Sequence, residues 1–255
     1  MLRSILSLRN FTMSATDGEI GKVKDFYFDD HTWTLRYLVV ETGSWLVGRK
    51  VLISTTALHA PDWDSHTFPV NLTKEQIKHS PDIDTEKPVT RQHEMELTNH
   101  YSWPWQGGGI GFMTTGMVGG VIAPDVPLDD RIADETRHHE SANRSEKHLR
   151  SFKQLSGFEL RSTDENLGEV HDFLLNDTDW TLPYLIIEAG NWYSGKKIVA
   201  PTRFIDNVEW ESSSIYFMQS SKWLKGLPEF DYSHMDEEDY IKSFENSYSN
   251  NRANS

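Results

Sequence analysis

Carboxylates at matched positions are the first residues in this sequence whose types and spacing could do chemistry. Asp17 and Asp25 recur 147 positions later as Asp164 and Asp172. General acid–base catalysis needs one carboxyl of raised pKa beside a second group. These four stand in turns or strands rich in glycine, where an Asp side chain caps a turn by accepting from nearby backbone N–H groups. Their spacing therefore reads as turn-capping and hairpin support. Glu41 and Glu188 each end an apolar stretch, with Lys50 or Lys197 following, the pattern of a partly buried structural ion pair. Eleven histidines raise the question of metal. His138, His139 and His148 lie near Glu135 and Glu140, a donor set that zinc accepts, but two are adjacent and the spacing fits no ligand pattern. A solvated, charged linker is the reading. His31, His59, His66 and His79 have Thr178, Asp206, Ser213 and Gly226 at the matched positions, so no site common to both stretches can use them. Gly107 to Gly111 lacks the preceding strand and the G-x-G-x-x-G context of a phosphate loop and reads as a link. There is no cysteine, which excludes disulfides and thiol chemistry. These residues point away from an enzyme and imply neither cofactor nor metal.

Tryptophans are the other repeated set. Trp33, Trp45 and Trp63 recur as Trp180, Trp192 and Trp210. Core packing accounts for most such aromatics. Trp45 and Trp192 differ, because each sits in a loop bounded by glycine, Gly43 to Gly48 and Gly190 to Gly195. An aromatic held on a loop anchors interfaces. Trp103 and Trp105, beside Pro104, form a second candidate surface. The expected interface residues are thus Trp45, Trp192, Trp103 and Trp105.

The elements that position these residues also recur. A shift of 147 superposes residues 2–84 on 149–231 without a gap, with about one third of positions identical. Within one unit the periodicity is that of strands. Ile20, Phe26 and Phe28 share a face, Val23 breaks the parity, and a bulge near Lys24 follows. Asp29 to Thr32 is a polar turn, and Trp33 to Thr42 is a second strand rich in β-branched and aromatic residues. Lys50–Ile53 and Thr67–Val70 supply further strands. Thr73 caps a short helix running to His79, before Pro81. Many short strands with close turns point to a barrel or sandwich, and closure would remove exposed strand edges. Val89 to Tyr101 and Asp236 to Tyr248 have helical character. In the second, Tyr240, Ile241, Phe244 and Tyr248 form one stripe. Ser249 to Ser255 are expected to lack structure.

Composition bounds the partners. With 39 acidic against 25 basic residues the formal net charge is −14, which repels phosphate backbones and disfavours nucleic acid. No run approaches the ~18 apolar residues of a membrane span. The first nine residues are too interrupted for a signal peptide, so the expected location is the cytoplasm.

Taken in order, the blocks Asp17-Gly-Glu-Ile-Gly-Lys-Val-Lys-Asp-Phe26, Thr32-Trp-Thr-Leu-Arg-Tyr-Leu-Val-Val-Glu41, Gly43-Ser-Trp45 and Gly48-Arg-Lys-Val-Leu-Ile-Ser54 resemble the PRC-barrel family. The stretch from Asp164 to Pro201 carries the same blocks. The resemblance implies a mainly β chain with two small PRC-type β-barrels from an internal duplication, each followed by a short amphipathic helix. The expected boundaries are a first barrel at 1–84, a helix, Gly-rich loop and charged linker at 85–148, a second barrel at 149–231, and a C-terminal helix and tail at 232–255. The family's domain forms the cytoplasmic part of the photosynthetic reaction-centre H subunit and the C-terminal domain of a ribosome-maturation factor. The chain is expected to lack the membrane anchor of the one and the RNA-binding domain of the other, and is more similar to stand-alone tandem bacterial members. The implied role is non-catalytic docking or scaffolding with another protein as partner, a homodimer being left open. The alternative is an electron-transfer accessory that associates with a quinone or other small ligand.

Overall fold

The computed structural model describes residues 1–81, 89, 91–104, 149–190, 195–235 and 237–252. The chain is mainly β and forms two sheets.

The first sheet grows from one hairpin. Strand β3 (Gly18–Asp29) pairs antiparallel with β4 (Thr34–Thr42). The register slips between Val23 and Asp25, so the bulge expected at Lys24 is present. It lets Val23 and Phe26 both reach the core, where each is fully buried. At the turn, the N–H groups of His31 and Thr32 donate to Asp29 Oδ1 at 2.9 Å. Gly21 sits where β3 crosses the end of β4: a Cβ there would lie 2.0 Å from the Glu41 carbonyl oxygen, so only glycine fits. Gly168 meets the Glu188 carbonyl in the same way, at 2.1 Å. Strands β2 (Thr12–Ala15), β5 (Lys50–Ser54) and β6 (Thr67–Pro69) complete the order β5-β4-β3-β2-β6, with β2 and β6 parallel. Helix α2 (Lys74–Lys78) starts at Thr73, whose side chain and that of Gln76 form a capping box.

The second sheet has the order β11-β10-β9-β8-β13-β12, from β8 (Glu159–Arg161), β9 (Asn166–Asn176), β10 (Tyr184–Ala189), β11 (Lys197–Pro201), β12 (Ile205–Glu209) and β13 (Ser214–Phe217). Its β8 and β13 are parallel, as β2 and β6 are in the first.

The expected closed barrels are not what the strand ladders form. Each path is open, and its end strands do not pair with each other among the described residues. The physical reason is a corner in the chain. β11 and β12 are joined covalently through a tight 3-10 turn, Thr202–Phe204. In the first sheet the turn Thr55–Ala57 follows β5, and two isolated bridges, Leu58 to Val70 and Asp62 to Thr67, tie the chain after that turn to β6 and the residue beyond it.

A third strand reaches each hairpin from the other half of the chain. β1 (Leu2–Ser4) adds antiparallel to β9, with Leu2 opposite Asn176. β7 (Leu149–Ser151) adds to β3, with Leu149 opposite Asp29. The single-turn helices that follow, α1 (Ile5–Leu8) and α4 (Phe152–Leu155), pack on β9 and β3 respectively. Ile5, Leu8, Phe152 and Leu155 are completely buried there.

Two longer helices lie on the sheets. α3 (Arg91–Tyr101) buries Leu97 and Tyr101, and α6 (Glu238–Arg252) buries Phe244 and Tyr248. Between them comes α5 (Ser221–Lys225), capped by Ser220. α6 runs on through residues 249–252, where no structure was expected. The expectations for Trp105, Trp192, Gly107 to Gly111 and the histidines at 138, 139 and 148 fall outside the described residues. Among the described residues, no helix is long and apolar enough to cross a membrane.

Candidate interaction site

The repeated carboxylates part into two kinds. Asp17 Oδ1 accepts from the Lys74 N–H at 2.9 Å, at the start of α2. Asp164 does the same for α5, taking the Ser221 N–H and hydroxyl at 2.8 Å each. With the Ser162 hydroxyl added, these donors pull its pKa down from 3.8 to about 2. For this pair the capping expected from the sequence is what the structure contains.

Asp25 and Asp172 lie within strands, β3 and β9, and differ from the expected hairpin support in being buried and in bonding to the other half. Asp172 accepts from the Ser4 hydroxyl, from the N–H groups of Leu6 (3.2 Å) and Phe173 (2.8 Å), and from the Tyr232 hydroxyl (3.1 Å). Asp25 mirrors it with the Ser151 hydroxyl and the N–H groups of Lys153 (3.1 Å) and Phe26 (2.9 Å). Each carboxylate thus holds the first segment of the other half. Burial drives the Asp172 pKa up, and the four donors oppose that shift.

Glu41 stands opposite Lys50 in the ladder, and its ion pair at 3.5 Å is with Lys24. Glu188 stands opposite Lys197 and pairs with His171 at 3.2 Å. Both glutamates are about half exposed, so these are surface contacts rather than the partly buried pairs expected.

Trp33 and Trp180 join the halves. Both have left-handed backbone, φ 51° and 62°. Leu35 donates to the Trp180 carbonyl and Leu182 to the Trp33 carbonyl, at 2.8 and 2.7 Å. The Trp33 ring stacks between Phe28 and Phe173, 5.5 Å from each. Trp63 and Trp210 each carry an arginine over the ring, Arg3 at 4.3 Å and Arg150 at 4.2 Å. Open grooves flank this joint. One of about 460 Å³ is lined by Trp33, Trp210 and β12, another of about 520 Å³ by Trp180, Arg36 and Thr55.

The loop after β4 behaves differently from its central indole. Trp45 lies in a 3-10 turn, Ser44–Leu46, and is half-buried. Its indole N–H donates to the Ile20 carbonyl at 2.7 Å, and the Lys74 ammonium sits 5.5 Å from its ring centre. The indole clamps the loop to β3. What the clamp presents is Val47, 94% exposed and left-handed at φ 55°. A β-branched residue at that φ is a conformational outlier. Sequence reasoning, drawn to the aromatic, passed over it; its only signal was an apolar residue directly before Gly48. Arg49, at the loop's end, donates to the carbonyl oxygens of Lys78 (3.0 Å) and Ser80 (2.5 Å). Tyr101, whose pKa burial pushes up to about 12, packs near Arg49 and stacks on half-buried Trp103 at 4.1 Å. Beyond it, buried Glu94 takes the Tyr37 hydroxyl and Arg36 at 3.2 and 3.3 Å, which fixes α3 to β4. The end of the loop at Arg49 thus lies close to the Tyr101 and Trp103 end of α3.

Residues 13–77, which contain this loop, most of β2 and the whole of β3 to β6, match the family model of the PRC-barrel domain. The chain carries a PRC-barrel domain. The match spans β2 to α2, so the Val47 loop belongs to the PRC-barrel, whereas α3 and Trp103 lie beyond it. No curated protein matches the chain.

Proposed function

We propose that the chain is a non-catalytic protein-docking module, acting in the cytoplasm, built from two PRC-type units that arose by internal duplication. The matching strand orders, shared glycine contacts and reciprocal aspartates support the duplication. The docking role rests on one observation above all: the PRC-barrel holds an apolar, strained residue, Val47, out in solvent on a clamped loop. Strain kept at an exposed tip, where any other backbone would relieve it, is characteristic of recognition loops.

The test is a photo-crosslinking amino acid placed at position 47 of the full chain in its native cell. A discrete crosslinked partner is expected from position 47 and not from Met218, which is also exposed but lies elsewhere. Equal yields from both positions would remove the docking reading. A second reading, association with a quinone-like ligand, is favoured by the tryptophan-lined grooves at the joint. Saturable quenching of tryptophan emission by a water-soluble quinone, lost in Trp180→Leu, would support it over docking.

A further inference from the structure

The joint between the halves is built from two copies of one recognition unit. On the ligand side are Leu2-Arg3-Ser4 and Leu149-Arg150-Ser151, each followed by a single helical turn that buries two apolar side chains. On the receiving side are the buried acceptors Asp172 and Asp25 and the outer carboxylates Asp177 and Asp30. Asp177 pairs with Arg3 at 3.6 Å and Asp30 with Arg150 at 3.4 Å. Each ligand segment leaves its own half at a residue of left-handed backbone, Asn10 (φ 68°) or Gly157 (φ 86°), which turns the chain outward at the same point. The first half gives the second what the second gives the first, the self-complementary arrangement of a two-fold dimer.

Nothing in this recognition depends on the two halves belonging to one chain. Backbone ladder, serine hydroxyl, arginine and apolar turn would be identical if a second molecule supplied them. We propose that the two receiving sites are interchangeable docking sites for the Leu-Arg-Ser segment of any copy of this chain, so that chains also pair in trans through the exchange seen within one. The intramolecular form competes because one chain joins the two halves covalently. A tethered segment acts at an effective concentration on the order of 1 mM. Pairing in trans is therefore a minor population at micromolar concentration and grows in proportion to protein concentration. This proposal is independent of the docking role of Val47.

The absence of native cysteine makes the test clean. Leu2 and Asn176 face each other across the β1–β9 ladder, within reach of a disulfide. One full-length chain carries L2C, and a second, of different tag length, carries N176C. The two are refolded together across a concentration series and oxidised. The expected result is a mixed disulfide between the chains whose yield rises about 10-fold for each about 10-fold in concentration below the millimolar range. L2C paired with M218C gives the background. A single chain carrying both L2C and N176C closes an internal disulfide at every concentration. Internal closure with no mixed disulfide above background would overturn exchange in trans. Failure of the double variant to close would overturn the docking site itself.

Discussion

Buried Asp172 and exposed Asp164, eight residues apart in the second half, are shifted in opposite directions. Burial raises the pKa of Asp172 above 3.8, so the folded chain holds that proton more firmly than the unfolded one. Its contribution is most favourable below pH 3.8 and is lost as pH rises through the raised folded value. Asp164 is lowered from 3.8 to about 2. Its contribution is present above 3.8 and disappears as pH falls through about 2. Thermal melts between pH 2 and 8 should therefore lose part of their alkaline-side slope in Asp172→Asn and part of their acid-side slope in Asp164→Asn. The same slope in variant and parent would show that neither carboxyl is perturbed as described. Asp172→Ala should cost about 3 kcal/mol, because it leaves the buried Phe173 N–H and the part-buried Leu6 N–H without an acceptor. At Val47 the sign is reversed. Glycine tolerates left-handed backbone, so Val47→Gly should raise stability by up to about 1 kcal/mol, while abolishing crosslinks to a partner if the side chain is the docking contact.

Among the elements, the two long helices carry a matched task with different means. α3 brings Glu94 to Tyr37 and Arg36, while α6 brings Glu245 to Tyr184 and, at 3.2 Å, to Arg203. The arginine comes from β4 in one case and from the turn after β11 in the other, yet the glutamate reaches the equivalent tyrosine in both. Apolar packing holds each helix down. Phe244, 2% exposed, lies 6.0 Å from Phe230 and 4.9 Å from Tyr240. Phe244→Ala should cost about 3–4 kcal/mol in chemical denaturation, the range for a large aromatic removed from a packed site. A cost below about 1 kcal/mol would mean that α6 is not docked.

On the scale of the whole molecule, the exchanged strands make the halves energetically one. Each hairpin borrows a strand, a hydrogen-bonded serine and two buried apolar residues from the other half, and Trp33 stacks on Phe173 across the joint. Neither sheet can open without exposing part of the other's core. Calorimetry should show a single transition whose calorimetric and van't Hoff enthalpies agree, in contrast with the two transitions of independent tandem domains. Two resolved transitions would mean that the joint contributes little.

Local features were legible in the residues alone. Alternation and β-branched residues marked the hairpin, a broken parity marked the bulge at Lys24, Thr73 marked the cap of α2, and the stripe Phe244, Tyr248 marked the buried face of α6. These are readable because each depends on neighbours within a few residues. Where β1 and β7 belong emerged only on folding, since a short strand carries no record of which distant edge it pairs with. That placement buried Asp25 and Asp172 and made them clasps between halves. Folding also decided which loop residue faces solvent. Trp45 and Val47 are both apolar and two residues apart, and only the reach of one indole N–H to the Ile20 carbonyl turns the aromatic inward and leaves the valine outside.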